Sequence, residues 1–390
     1  MTGARFDGLD IESLRQRKSE KWSSYPPEIL PAWVAEMDFP VADPIRLALQ
    51  ESLDHSDMGY PIAPGRTGIR EAFAERMESR FGWRVDPHQV EVLSEVVQGL
   101  YLALSAFAEP GEGIVVQTPI YPPFLGGVEE TGRRLVENPL IPKAGGWEID
   151  FEGLARAVDD ETRVLLLCNP HNPSGRVFDR AELERLAESV LEHDWVVVSD
   201  EIHADLVFDQ RVHVPFASLA PEIEARTLTL NSASKSFNIP GLRCAVAHFG
   251  SPDLRKRMDA RYPRHIRGGI GLSGLYATIA AWRECDAWLG ALRDHLEANR
   301  DYLMGELASR FPGIRCEAPQ GTYLAWLDCS ELGWRESPYA RFLERGQVAF
   351  SEGSRFGPGF EQFVRLNFAT SREILEQVLE RMEAAIQAAD

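Results

Sequence analysis

Four short strand-like runs in the middle of the chain constrain its fold more than any other feature: the unbroken runs 113–117 (GIVVQ), 164–168 (VLLLC) and 195–199 (WVVVS), and with them residues 227–230 (TLTL). A strand with one face in water alternates apolar and polar residues. A short run without that alternation is expected to be a strand covered on both faces, and such strands belong to mostly parallel sheets. Between the second and third runs lies a helical pattern. Asp179 and Glu182 form a capping box, and Leu183, Leu186, Ala187, Val190 and Leu191 give an apolar stripe. Strand, helix and strand with short links make a βαβ unit with parallel strands. The expected class is α/β.

The C-terminal part has a different texture. Thr370 and Glu373 read as a capping box before an amphipathic last helix carrying Ile374, Leu375, Val378, Leu379, Met382 and Ile386. Residues 322–327 and 363–368 read as strands before it, so a smaller α+β domain is expected over 282–390. Residues 46–281 then form the large domain. Residues 1–45, rich in proline and aromatics, have no place in the sheet and are expected to pack against the small domain.

At 390 residues the chain is long enough for two domains. Its formal charge, 41 − 60 = −19, repels phosphates and argues against nonspecific nucleic-acid binding. Cys168, Cys244, Cys285, Cys316 and Cys329 show neither C-x-x-C nor zinc spacing and read as reduced thiols of a cytoplasmic protein. Residues 1–10 mix charges and do not read as a secretory signal. No apolar run approaches the ~20 residues of a membrane span, so no membrane association is expected.

The polar residues that follow these strands are the informative ones. Strand 113–117 runs into Thr118-Pro-Ile-Tyr121, and strand 164–168 into Asn169-Pro-His-Asn172. Strand 195–199 ends at Asp200-Glu-Ile-His203, and strand 227–230 at Asn231-Ser-Ala-Ser234-Lys235. Ligands of open α/β sheets bind outside the carboxyl ends of the strands. One crevice is therefore offered Tyr121, Asn172, Asp200 and Lys235. Arg243 opens the apolar run 243–249 and joins the same rim if that strand is antiparallel. Residues 91–97 read as a further strand leading into Gln98-Gly99-Leu100 and a helix. A glycine at such a turn lets backbone N–H groups meet a phosphate.

Pyridoxal 5′-phosphate (PLP) would use each of these groups. Lys235 would bond to its aldehyde, and desolvation lowers a lysine's pKa toward reactivity. Asp200 would keep the ring nitrogen protonated, which makes the ring an electron sink. Asn172 would donate to the phenolic oxygen and Tyr121 would stack on the ring. Arg243, Ser234 and the Gly99 turn would hold the phosphate. Each residue alone has a plainer reading: a solvated lysine, a capping aspartate, an Asn-Pro turn, a packing aromatic. Their arrival together at successive strand ends outweighs those readings. Asp200, Glu201, His203 and Asp205 also invite a metal reading. No second cluster has ligand spacing, so no metal is expected.

Asn169-Pro-His-Asn172-Pro-Ser-Gly175, Ser199-Asp200-Glu201, Ser232-Ala-Ser234-Lys235 and Gly241-Leu-Arg243 together resemble the class I/II aminotransferases of PLP fold type I, over nearly the whole chain. Four further segments are similar to the cystathionine β-lyase-like (MalY/PatB-type) carbon–sulfur β-lyases within that superfamily. They are Trp33-Val-Ala-Glu-Met-Asp-Phe39, Met58-Gly-Tyr60-Pro, Thr118-Pro-Ile-Tyr-Pro-Pro-Phe124 and Asp200-Glu-Ile-His203. Many aminotransferases carry tyrosine where His203 stands. The resemblance implies a large domain with a mostly parallel seven-stranded sheet sandwiched by helices, plus the smaller α+β domain. It implies that Arg365 binds the substrate α-carboxylate, with Ala35 and Asn172 beside it. Leu100, Ser232 and His203 are implied as further cofactor contacts. Tyr60 is implied to reach the PLP phosphate of a neighbouring subunit in a homodimer with shared sites. The stretch 265–270 (HIRGGI) departs from the pattern.

The reaction this implies is cleavage of L-cystathionine or related cysteine S-conjugates to a thiol, pyruvate and ammonia, with Lys235 as general base at Cα. An aminotransferase of an L-amino acid shares every cofactor residue and stays open as an alternative. So do a regulatory or binding protein that retains the fold, and a biosynthetic lyase of an unusual thioether. The expected partners are an amino-acid substrate and a second copy of the chain.

Overall fold

The apolar runs become the centre of one seven-stranded sheet in the computed structural model, which describes residues 6–63, 66–143 and 145–388. In chain order the strands are β1 Val90–Leu93, β2 Gly113–Thr118, β3 Arg134–Pro139, β4 Thr162–Cys168, β5 Val196–Asp200, β6 Thr227–Asn231 and β7 Ala245–Phe249. They lie in the order β1-β7-β6-β5-β4-β2-β3. Neighbours from β6 to β3 are parallel. β7 alone is antiparallel, to both β6 and β1. All the other strands therefore end on one rim, and β7 starts there.

Successive side chains of a strand point to opposite faces. Ile114, Val116, Val164, Leu166 and Val198 pack with Leu100 and Leu104 of helix α1, Val96–Phe107. Val115, Leu165, Leu167 and Val197 pack with Leu183, Leu186 and Val190 of helix α2, Arg180–Glu192. Two apolar faces are why these strands show no alternation. The capping box of α2 is present in both halves: Asp179 accepts from Glu182 N at 2.9 Å and Glu182 Oε2 accepts from Asp179 N at 2.9 Å. Leu191 departs from expectation. It is 45% exposed, because the stripe turns away from the sheet after Val190.

A second, antiparallel sheet has strands β8 Leu324–Asp328, β9 Ser351–Glu352 and β10 Phe363–Asn367 in the order β8-β10-β9. Helix α4, Asp286–Arg310, and helix α5, Arg372–Gln387, complete this part; short helix α3, Ala233–Ser236, carries Lys235 in the large one. The cap of α5 is Ser371, whose hydroxyl accepts from Ile374 N, and not the expected Thr370. Leu30–Pro31 pairs in parallel with Val348–Ala349, and Asp38 N donates to Ala369 O. Phe6, Leu14, Trp22, Met37 and Phe39 share one core with Leu296, Leu303, Val364 and Leu375. Residues 1–5 of the N-terminal segment and 389–390 of the C-terminal domain lie outside the described residues.

Candidate active site

The carboxyl rim of the sheet opens into a cavity of about 700 Å³. Tyr121, Asn172, Asp200, His203, Ser232, Ser234, Lys235 and Arg243 all line it, as does Ala35 from the N-terminal segment. Arg243 reaches the rim because β7 is antiparallel. It sits at φ +50 just before β7 and is ion-paired with Glu95.

Asp200 is the last residue of β5, and its carboxylate accepts from Ile202 N at 3.1 Å. Among the described residues no cation forms an ion pair with it. Burial, with Glu201 adding, pushes its pKa up to about 7. Lys235 is pushed the other way by burial and by Arg365, down to about 8. Both shifts have the same cause: a dry site penalises whichever form is charged. Burial also lowers His203, with Lys235 and Arg365 adding, to about 3, so its imidazole is neutral.

Arg365 comes from β10 and is buried. Its Nη1 donates to Asn172 Oδ1 at 2.9 Å, and its Nη2 to Trp33 O at 3.1 Å and Ser351 Oγ at 3.0 Å. No carboxylate forms an ion pair with it among the described residues, and burial lowers its pKa to about 10. With Oδ1 taken by Arg365, Asn172 has its N–H pair left to offer.

The segment from Trp33 to Phe39 ties these residues together. Every main-chain carbonyl along it accepts from a side chain. Ser351 and Arg365 donate to Trp33 O, and Asn367 to Val34 O and Glu36 O. Lys235 Nζ and Tyr323 OH donate to Ala35 O at 2.8 and 2.9 Å. Lys21 joins at Glu36 O, Asn238 at Met37 O and Phe39 O, and Arg17 at Asp38 O. The donors come from both domains, so this strap fixes the lysine and the arginine relative to one another.

The structure places Gly99 and Leu100 otherwise than expected, and fixes the positions of the remaining residues. Helix α1 starts at Val96, so Gly99 lies inside its first turns and not at a strand-to-helix turn. Its N–H already donates to Glu95 O at 3.3 Å. A Cβ at Gly99 would come within 2.7 Å of Leu230 Cδ2, so packing explains the glycine. Leu100 is a core residue against the sheet. The cavity wall at this helix end is formed by Val96 and Val97 instead. Ser232 lines the cavity, but its hydroxyl donates to Cys244 O and accepts from Ser234 N. The acidic cluster diverges: Glu201 binds Ser199, His213 and Phe216 N, and Asp205 pairs with Arg76. Tyr60 is fully exposed and lies outside the cavity of its own chain. Arg267 and Ile270 of the HIRGGI stretch border a different cavity, beside Pro61 and Ile62.

Sequence reasoning missed Tyr323, Ser351, Asn238 and Asn367. Only Asn367 had a signal: two residues after Arg365 on a strand, it shares that residue's face.

The donor set fits PLP. Asp200 is a buried carboxyl without an ion-pair partner among the described residues, the environment a protonated ring nitrogen would complete. Asn172 offers N–H groups where a phenolic oxygen needs donors. The first turn of α1 has backbone N–H groups free of helical partners by geometry, a setting for phosphate. Residues 34–382 match the family model for aminotransferase class I and II, and the chain belongs to that family. It is 38% identical to cystathionine beta-lyase PatB of Bacillus subtilis over 361 residues, 92% of this chain and 93% of that one. A putative PLP-dependent β-cystathionase of Corynebacterium diphtheriae superposes with TM-score 0.92 at 33% identity, covering 100% of both chains. A PLP-bound C–S lyase of Staphylococcus hominis superposes with TM-score 0.91 at 29% identity, covering 99% of each.

Proposed function

We propose that the chain is a PLP-dependent carbon–sulfur β-lyase that cleaves L-cystathionine or related cysteine S-conjugates to a thiol, pyruvate and ammonia. The observation that carries this is the convergence of Lys235 and Asp200 on one cavity, with Arg365 held behind its wall by a hydrogen bond to the lining residue Asn172, neither Asp200 nor Arg365 having an ion-pair partner among the described residues. The names of the relatives above favour the lyase over transamination. Bound PLP supplies the electron sink for the pair left when the Cα–H bond breaks. Asp200 would hold a proton at the ring nitrogen, Asn172 would donate to the phenolic oxygen and Tyr121 would stack on the ring. Arg243, Ser234 and the N-terminus of α1 would hold the phosphate. Arg365 takes the substrate α-carboxylate in a two-pronged fork. Lys235 removes the Cα proton; at a pKa near 8 its amine is available as a base near neutral pH.

Supplying substrate alone tests this. A lyase releases thiol and pyruvate continuously, whereas an aminotransferase stops without a keto-acid acceptor. A fold-retaining binding protein changes cofactor absorbance without product.

The same reading makes the protein a homodimer with shared sites. Supporting it, Tyr60 stands fully exposed between exposed Met58 and Ile62. The working units are the N-terminal segment 1–45, the cofactor domain 46–281 and the C-terminal domain 282–390. All five cysteines are free, which suits the reducing cytoplasm. Among the described residues no helix is long and apolar enough to cross a membrane.

A further inference from the structure

We infer that Tyr323 is a positioning residue for Lys235: through the Ala35 carbonyl it fixes where the lysine ammonium rests whenever the lysine is not joined to PLP. This deepens the proposed function and rests on Lys235 being the base.

When Lys235 takes the Cα proton, the electron pair of the Cα–H bond stays with the substrate. The proton stays on Nζ, which becomes an ammonium needing acceptors in a dry cavity. Ala35 O is such an acceptor, 2.8 Å from Nζ. Ala35 lies in irregular chain, so something else must aim its carbonyl. Tyr323 OH does, at 2.9 Å. Tyr323 is itself rigid. It is buried, its ring meets His203 edge-on at 5.9 Å, and its own carbonyl accepts from Phe368 N. The residue before it, Thr322, sits at φ +68, a costly conformation for a β-branched residue. Thr322 N donates to Leu206 O across the sheet-to-domain junction. The strained turn thus delivers the phenol to the strap. The other groups facing Lys235 are Asp200, Arg365, His203, Glu36 and Glu20, and among the described residues none of them hydrogen-bonds the Tyr323 hydroxyl.

Tyr323→Phe in the full chain keeps the ring and removes the hydroxyl. In the PLP-free protein, Lys235 is labelled with trace acetic anhydride across pH and its peptide is quantified by mass spectrometry. Losing the anchor lets the carbonyl drift and the ammonium loses its acceptor. The labelling midpoint should fall by about half a pH unit or more. In the loaded enzyme, kcat for pyruvate release should fall about tenfold with KM little changed. Ala35→Gly keeps both donors and loosens the carbonyl. It moves the midpoint the same way and replaces the first variant if that one does not fold. A purely structural tyrosine would lower thermal stability without moving the midpoint. The midpoint decides: unmoved or raised, it overturns the inference. Lys235→Ala separates this from the reading beneath. Retained turnover in that variant removes the base itself; an inactive variant beside an unmoved Tyr323→Phe midpoint removes only the positioning role.

Discussion

Two opposed pKa shifts define the chemistry residue by residue. Asp200 is raised from 3.8 to about 7, so the PLP-free folded chain binds a proton there that the unfolded chain releases. The stability linked to that proton is fully present below pH ~4 and is lost as pH rises through about 7. Asp200→Asn removes the dependence. In the PLP-free state its melting temperature should match wild type at the acid end of the stable range and exceed it at pH 8, while lyase turnover collapses. An Asn variant that melts at or below wild type at pH 8 would contradict this. Lys235→Ala should lower pyruvate release by more than about 10²-fold, with circular dichroism unchanged. Arg365→Lys keeps the charge but loses the fork. A charge-assisted hydrogen bond contributes ~1.5–3 kcal/mol, so KM should rise about 10- to 100-fold with a smaller change in kcat. Asp200 and Lys235 were legible because they stand at or just after strand ends, where such sheets bind, whereas Arg365, inside β10, came only from the family resemblance. The strap was not legible. Its acceptors are main-chain carbonyls, which no letter of the sequence distinguishes.

Helix termini show what pattern reading can and cannot place. Thr370-x-x-Glu373 satisfies the capping rule on paper, yet the chain turns one residue later and Ser371 does the capping. The Thr370 hydroxyl is buried without a hydrogen-bond partner among the described residues. Ser371→Ala should therefore cost about 1 kcal/mol, and Thr370→Val should be neutral or stabilising. Urea midpoints decide; the reverse ranking would return the cap to Thr370. The start of α1 was misplaced for a related reason. Glu95 precedes the helix without a side-chain cap bond, and Val96-Val97 continues the apolar look of β1. The strand interiors were legible because burial on two faces removes alternation. The direction of β7 was not, since an apolar run carries no arrow.

For the whole molecule, the decisive question is whether two chains complete one another's sites. Tyr60→Ala and Lys235→Ala chains should each be nearly inactive alone. Mixed by co-expression, they should recover activity, because every mixed dimer carries neither lesion at one of its two sites. Recovery absent from a verified mixed dimer would confine Tyr60 to its own chain. Size-exclusion chromatography with light scattering reports the assembly.

The strap has a practical consequence for altering what this cavity accepts. Because segment 33–39 contributes main-chain oxygens, its outward side chains can be exchanged without deleting a single acceptor. Val34 and Glu36 line the cavity, so substitutions there reshape the wall and leave the scaffolding in place. The partners Asn238, Tyr323 and Asn367 have no such freedom: one altered letter among them unfastens a loop that both halves of the protein grip.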